Sequence, residues 1–89
     1  MALWERIGNL HVHTTHSDGH ATHAEVAAFA AQAGLDFVVV TDHNVYVPGR
    51  QGWYGSVLLL VGEELHDPDD PHHNHLLALG IDRDLAEVE

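Results

Sequence analysis

The apolar pattern between positions 7 and 40 constrains the fold of this chain more than any other feature of the sequence. Ile7–Val12 and Phe37–Val40 are short apolar-rich runs that predict strands, and the second has the β-branched composition of a strand buried on both faces. Between them, Thr22 and Glu25 have the spacing of a helix capping box, and Gly34 supplies a helix stop. This order predicts a βαβ unit with parallel strands.

The second half of the chain predicts two further strands. Tyr46–Ser56 contains Pro and Gly and reads as a loop, after which Val57–Val61 forms a third strand and Leu76–Gly80 a fourth. The polar segment Glu63–His75 is too short for a crossover helix, which parallel neighbours need. The third and fourth strands are therefore predicted to be antiparallel.

Composition excludes several classes of protein. The 89 residues are enough for one small domain, spanning 1–89, and they include no cysteine, so disulfides, thiolate catalysis and Cys-type zinc sites are excluded. Three Lys and Arg against fourteen Asp and Glu give a net charge of −11, which argues against binding to nucleic acid or anionic membranes. With neither a membrane span nor a secretory signal in the sequence, a cytoplasmic protein is expected.

Metal-binding residue types follow three of the predicted strands. The carboxyl ends of parallel strands form one rim, where binding sites gather, and the start of an antiparallel fourth strand lies at the same rim. The residues concerned are His11, His13, Asp42, His43, Glu63, Glu64 and His75. Imidazole and carboxylate together suit Zn²⁺, Mn²⁺ or Fe²⁺, and the clustering of carboxylates predicts more than one ion.

Each of these signals has a simpler interpretation when it is taken alone. A His-x-His pair arises by chance on many strands, Asp42 could form a side-chain turn, and Glu63 and Glu64 could be a solvated strand end. Five other histidines are assigned to solvent rather than to the site. His66, His72 and His73 are expected in an exposed loop, and His20 and His23 are expected to be solvated near the helix start.

Four segments in this order resemble the PHP (polymerase and histidinol phosphatase) domain. They are residues 11–19 (HVHTTHSDG), 41–44 (TDHN), 62–64 (GEE) and 75–80 (HLLALG). Within the family, the sequences of these segments are most similar to those of the CehA/McbA-like metallohydrolases. The resemblance implies the N-terminal portion of a distorted (β/α)₇ barrel, here with about four strands and one full crossover helix, and it implies two or three divalent metal ions.

The resemblance also implies a role for each matched residue. His11 and His13 would bind the first ion, Glu64 would bridge it to a second bound by His75, and Asp18 and His43 would hold a third or serve a variant with two ions. His16 competes with Asp18 as a ligand, and Asp18 is preferred because it lies in the Ser-Asp-Gly motif. Asp42, His16 and Glu63 are assigned to supporting positions around the ligands, with Asp42 orienting His43.

The activity expected from the resemblance is hydrolysis by a metal-activated water, with no side-chain nucleophile, of a phosphoester or of a carbamate or carboxylic ester. Arg50 is a weak candidate for contact with an anionic substrate. The family's later ligands have no counterpart before Glu89, so an incomplete domain is expected, and its open sheet edge predicts a homo-oligomer. The alternative is a non-catalytic metal-binding or assembly module; an amidohydrolase shares only the His-x-His pair.

Overall fold

The computed structural model describes residues 5–67 and 75–87, which form one helix and six strands. The elements are β1 (Gly8–Val12), α1 (His23–Gln32), β2 (Phe37–Val40), β3 (Gly52–Tyr54), β4 (Val57–Val61), β5 (Glu63–Leu65) and β6 (Leu76–Ala78). Short 3₁₀ turns lie at Pro48–Arg50 and Leu85–Glu87. The four-stranded sheet has the order β1-β2-β4-β3, and β5 and β6 form a separate two-stranded sheet.

The βαβ unit has the predicted elements. β1 and β2 pair in parallel, and β4 pairs in parallel on the other side of β2. At the start of α1, the Thr22 hydroxyl accepts from the backbone N–H of Glu25, and the Glu25 carboxylate accepts from the backbone N–H of Thr22. The predicted capping box is therefore confirmed. Gly34 follows the helix with a φ of 79°, the left-handed conformation typical of a helix stop.

The core lies between α1 and one face of the four-stranded sheet. The buried helix residues Val26, Ala27 and Ala30 pack against buried strand residues. The strand side of this core consists of Val38, Val40, Val57, Leu59 and Val61. Burying these side chains contributes the main favourable free energy of folding, on the order of 1.5–3 kcal/mol for each large aliphatic side chain. The core fixes the three parallel strands whose ends carry the polar residues.

The prediction of a (β/α)₇ barrel portion is wrong, although an α/β fold is present. The segment predicted as a loop contains β3, which pairs antiparallel with β4 and makes the sheet mixed. Gly55 permits this hairpin because its φ of 64° meets the need of a two-residue turn for a left-handed first residue. A short hairpin thus stands where a barrel would place a second crossover helix, and α1 is the one α-helix among the described residues.

The fourth predicted strand forms, but its partner differs from the prediction. β6 pairs antiparallel with β5, the three residues that follow Gly62, and not with Val57–Val61. In the described parts of the chain, no helix is long and apolar enough to cross a membrane. Association of copies through an open sheet edge after the fourth strand stays a prediction.

Candidate metal centre

Glu64 is the residue on which the predicted ligands converge. Its side chain is only 3% exposed, and it lies on β5 just beyond the end of β4. Oε1 of Glu64 lies 2.9 Å from Nε2 of His11 and 2.6 Å from Nε2 of His13. Oε2 of the same carboxylate lies 2.7 Å from Nδ1 of His75. One buried carboxylate thus contacts imidazoles from β1, the loop after it and the start of β6.

A second carboxylate lies on the solvent side of this cluster. Oδ1 of Asp18 is 2.7 Å from Nδ1 of His13, and Oδ2 is 3.1 Å from Nε2 of His43. Nδ1 of His43 is buried, has no hydrogen-bond partner among the described atoms and lies 3.7 Å from Oε1 of Glu64. The imidazoles of His13 and His43 therefore stand between the two carboxylates.

The backbone explains why these distant segments meet. The strand β1 lies beside β2, and Thr41 donates its N–H to the carbonyl of Val12 at 2.7 Å. On the other side, Glu64 donates its N–H to the carbonyl of Asp42 at 2.9 Å, which sets His43 beside Glu64. The carboxyl ends of three parallel strands thus form one rim, as the sequence pattern predicts.

Asp42 fixes the loop that carries His13 and Asp18. Its carboxylate is buried and accepts from the Thr14 N–H at 2.6 Å, the Thr14 hydroxyl at 2.7 Å and the Ser17 hydroxyl at 2.7 Å. Asp42 is expected from the sequence to orient His43, whereas these contacts orient the 14–17 loop. The role that the geometry gives to Asp42 is therefore the positioning of the ligand loop.

The imidazoles lower the pKa values of both carboxylates. Burial raises the pKa of Glu64, but hydrogen bonds from His11, His75 and His13 and the charge on His43 outweigh it and lower that pKa to about 2. The partial desolvation of Asp18 likewise raises its pKa and is outweighed by His13 and His43, so that its pKa is lowered. Both groups are therefore held as carboxylates, the form that binds metal ions.

These residues fit divalent metal ions. The ligand atoms of His11, His13 and Glu64 lie within 4.8 Å of one another, and so do those of His13, Asp18 and His43. Nitrogen and oxygen ligands of one zinc ion lie about 3.3 Å apart, as bond lengths of about 2.0–2.1 Å at tetrahedral angles require. The imidazole–carboxylate contacts of 2.6–3.1 Å are close to that separation. Small side-chain movements would accommodate an ion.

Glu63, a predicted supporting residue, and Arg50, the weak candidate for anion contact, lie outside the groups that surround Glu64. Glu63 is fully buried, and its Oε1 accepts from the Leu85 N–H at 2.9 Å. Burial and the neighbouring Asp84 carboxyl raise the pKa of Glu63 to about 7. Arg50 is exposed in the 3₁₀ turn Pro48–Arg50, and its role in binding an anion stays a prediction.

Two histidines that are expected in solvent are at least partly buried: His66 is half-buried and His23 is buried. The His66 ring lies 5.0 Å from that of His43 and 5.3 Å from that of His75, measured between centroids, so it stands beside the cluster. His23 is 2% exposed and faces His16 at a centroid distance of 5.1 Å. Burial lowers the pKa of His23, and the charges on His16 and Arg50 lower it further against the opposing effect of Asp42.

Each of the two had a weak signal in the sequence. His66 is the second residue after Glu64, and alternate residues of an extended chain point to the same side. His23 occupies the first turn of a helix whose apolar face includes Val26 and Ala27, three and four residues on. His72 and His73 lie outside the described residues.

Comparison with known proteins gives one distant similarity. The chain is 27% identical over 78 residues to the DNA polymerase/3'-5' exonuclease PolX of Bacillus subtilis (strain 168). The match covers 88% of this chain but only 14% of that protein, so the chain spans about a seventh of its relative. No family model matches the chain, and no solved structure does. At this level, the comparison suggests a PHP-like domain only loosely.

Proposed function

We propose that this chain carries the metal centre of a metal-dependent phosphoesterase. The observation that carries the proposal is the contact of one buried carboxylate, Glu64, with His11, His13 and His75. A carboxylate shared among several imidazoles is an arrangement that suits bridging of two divalent ions. The similarity to a protein named as an exonuclease favours a phosphoester over a carbamate or carboxylic ester.

In this proposal the ligands divide into three groups. His11 and His13 would hold the first ion together with Glu64, and Glu64 and His75 would hold the second. Asp18 and His43 would hold a third ion. Zn²⁺, Mn²⁺ and Fe²⁺ all suit this mixture of nitrogen and oxygen donors. When bound, such ions supply an activated water near neutral pH and neutralise charge on the phosphoryl oxygens.

The chain's own residues prepare the site for this chemistry. Asp42 holds the 14–17 loop, so that His13 stays against Glu64 and Asp18 stays against His13. The side chain of His11 is 51% exposed and that of Asp18 62%, so the centre opens to solvent on their side. A small phosphoester could approach from that side. The net charge of −11 makes a polyanionic nucleic acid an unfavourable partner.

The test is hydrolysis of three chromogenic substrates by the chain loaded with Mn²⁺ or Zn²⁺. Bis(p-nitrophenyl) phosphate, p-nitrophenyl phosphate and p-nitrophenyl acetate separate diesterase, monoesterase and carboxylesterase activities. Glu64→Gln keeps the shape of the side chain but removes its charge, and we expect it to lower phosphoester turnover by at least 100-fold. Glu5→Gln, at an exposed position away from the cluster, is the matched control.

The outcomes separate the proposal from its alternatives. Turnover of the acetate without turnover of either phosphate would favour an ester or carbamate hydrolase. Equal phosphoester turnover by wild type and Glu64→Gln would contradict the assigned site. Stoichiometric metal binding that depends on Glu64, with no turnover of any substrate, would favour a non-catalytic metal-binding module.

A further inference from the structure

A second polar cluster lies behind the 14–17 loop, on the side of the helix start. It consists of His16, His23 and Asp42, whose ligand atoms lie within 4.8 Å of one another. His23 and Asp42 are each 2% exposed, whereas His16 is exposed. None of the three belongs to the groups that surround Glu64.

Nε2 of His23 gives this cluster its chemical significance. The atom is buried and has no hydrogen-bond partner among the described residues. A buried polar atom without a partner costs about 1–3 kcal/mol. His23 is held in this position because it is the first residue of α1, directly after the Thr22 cap. The fold therefore buries a nitrogen atom that could bind a metal ion, and a bound ion would remove the free-energy cost of leaving that atom without a partner.

Asp42 retains capacity for a further ligand. An ionised carboxylate has about four lone-pair positions. Oδ1 accepts from the Thr14 N–H and the Ser17 hydroxyl, whereas Oδ2 accepts from the Thr14 hydroxyl alone. One position on Oδ2 is therefore open. The same carboxylate supplies the negative charge that would offset a cation near the positive end of α1.

We propose that His16, His23 and Asp42 form a further divalent-metal site, separate from the Glu64 centre. Two imidazoles and one carboxylate are a ligand set that Zn²⁺ and Fe²⁺ accept, with room for water in the remaining positions. The three donor atoms lie within 4.8 Å of one another, and the ligands of one zinc ion lie about 3.3 Å apart. The exposed side chain of His16 has the most freedom to adjust its position relative to the buried His23 and Asp42.

An ion here would have a structural effect on the neighbouring centre. His16 and Asp42 both contact Thr14, at 3.4 Å from Nδ1 of His16 to the hydroxyl and 2.7 Å from Oδ2 of Asp42. The ion would tie the 14–17 loop to the first turn of α1. Because that loop carries His13 at one end and Asp18 at the other, the ion would reduce the movement of two predicted ligands of the Glu64 centre.

The test measures the zinc content of four variants of the full chain after loading with Zn²⁺ and removal of free metal by gel filtration. His16→Ala is the principal variant because His16 is exposed and its loss leaves the core intact. His20→Ala, on the same loop but outside both clusters, is the control. Glu64→Gln and the double variant Glu64→Gln/His16→Ala complete the set. Elemental analysis gives the metal content of each.

We expect His16→Ala to lose one equivalent of zinc relative to His20→Ala, and the double variant to lose one equivalent relative to Glu64→Gln. In a Co²⁺ titration of the Glu64→Gln protein, we expect His16→Ala and His23→Gln each to weaken the remaining binding at least tenfold. Equal metal content in His16→Ala and His20→Ala would overturn the proposal. A Glu64→Gln protein that binds no zinc would also overturn the proposal of a second site, whether or not the phosphoesterase proposal holds.

Discussion

Nε2 of His13 lies 2.6 Å from Oε1 of Glu64, although 51 positions separate the two residues in the sequence. The contact follows from topology, because β1 and β4 flank β2 in parallel and the chain beyond each strand emerges at the same rim. The Gly62 N–H donates to the carbonyl of Val40 at 2.8 Å and continues that alignment past the last strand residue. The cluster of candidate ligands is therefore a product of the parallel sheet.

Metal should stabilise the folded chain through this cluster. An ion that binds only the folded state at 100 times its Kd adds about 2.7 kcal/mol to the free energy of unfolding. For a chain of this size, that gain corresponds to a rise in Tm of about 10–20 °C. We expect Zn²⁺ to produce such a rise and EDTA to reverse it, measured by circular dichroism. Glu64→Gln should show a smaller rise than Glu5→Gln at the same Zn²⁺ concentration; equal rises would contradict the assignment of Glu64.

The loop after β1 depends on a close backbone approach at Gly19. A Cβ at this position would overlap the carbonyl group of His13 and lie 2.9 Å from Cα of Thr14. We expect Gly19→Ala to displace the loop and weaken Zn²⁺ binding by at least tenfold in isothermal titration. At Gly49 a Cβ would meet nothing within 4 Å, so Gly49→Ala is the matched control and should bind normally. Normal binding by Gly19→Ala would mean that the loop can shift without loss of the site.

The capping box should contribute measurably to the stability of α1. Replacing an N-cap threonine by alanine costs about 1 kcal/mol, because a backbone N–H of the first turn loses its side-chain acceptor. We expect Thr22→Ala to lower the urea midpoint accordingly, while Thr22→Ser, which keeps the hydroxyl, stays near the wild type. Both measurements are made in EDTA, which removes any contribution of metal. An unchanged midpoint for Thr22→Ala would show that water replaces the cap without cost.

The local elements of the first half could be predicted because short-range signals specify them. Each of these elements has a local signal: a capping side chain at Thr22, a glycine with positive φ at Gly34 and a β-branched run at Phe37–Val40. Each element lies where its signal predicts it. The barrel prediction failed because it rested on a resemblance rather than on local signals. Gly52 and Gly55 lie in a segment predicted as a loop, and pairing with β4 turns part of that segment into a strand.

The sequence predicts which strand ends converge on the site. It does not predict the face of the strand or helix on which each side chain lies. Glu63 and Glu64 are neighbours on β5, and successive residues of a strand point to opposite faces. Only one of the two can face His11 and His13; the strand pattern alone leaves the choice open, and the preference for Glu64 comes from the resemblance. His23 is expected in solvent because it lies near the helix start, whereas the first turn of α1 buries it to 2% exposure.

Glu63 should make stability fall as the pH rises through the neutral range. Its pKa is raised from 4.5 to about 7 by burial and by the Asp84 carboxyl, so between these values the folded state binds more protons than the unfolded state. Stability therefore decreases with rising pH in this window. We expect Glu63→Gln, which retains an acceptor for the Leu85 N–H, to remove that decrease and to exceed the wild type at pH 8 by on the order of 1–3 kcal/mol. Urea unfolding at pH 5 and pH 8 in EDTA measures the difference between the two proteins at each pH. A difference between wild type and Glu63→Gln that is the same at both pH values would show that Glu63 titrates normally.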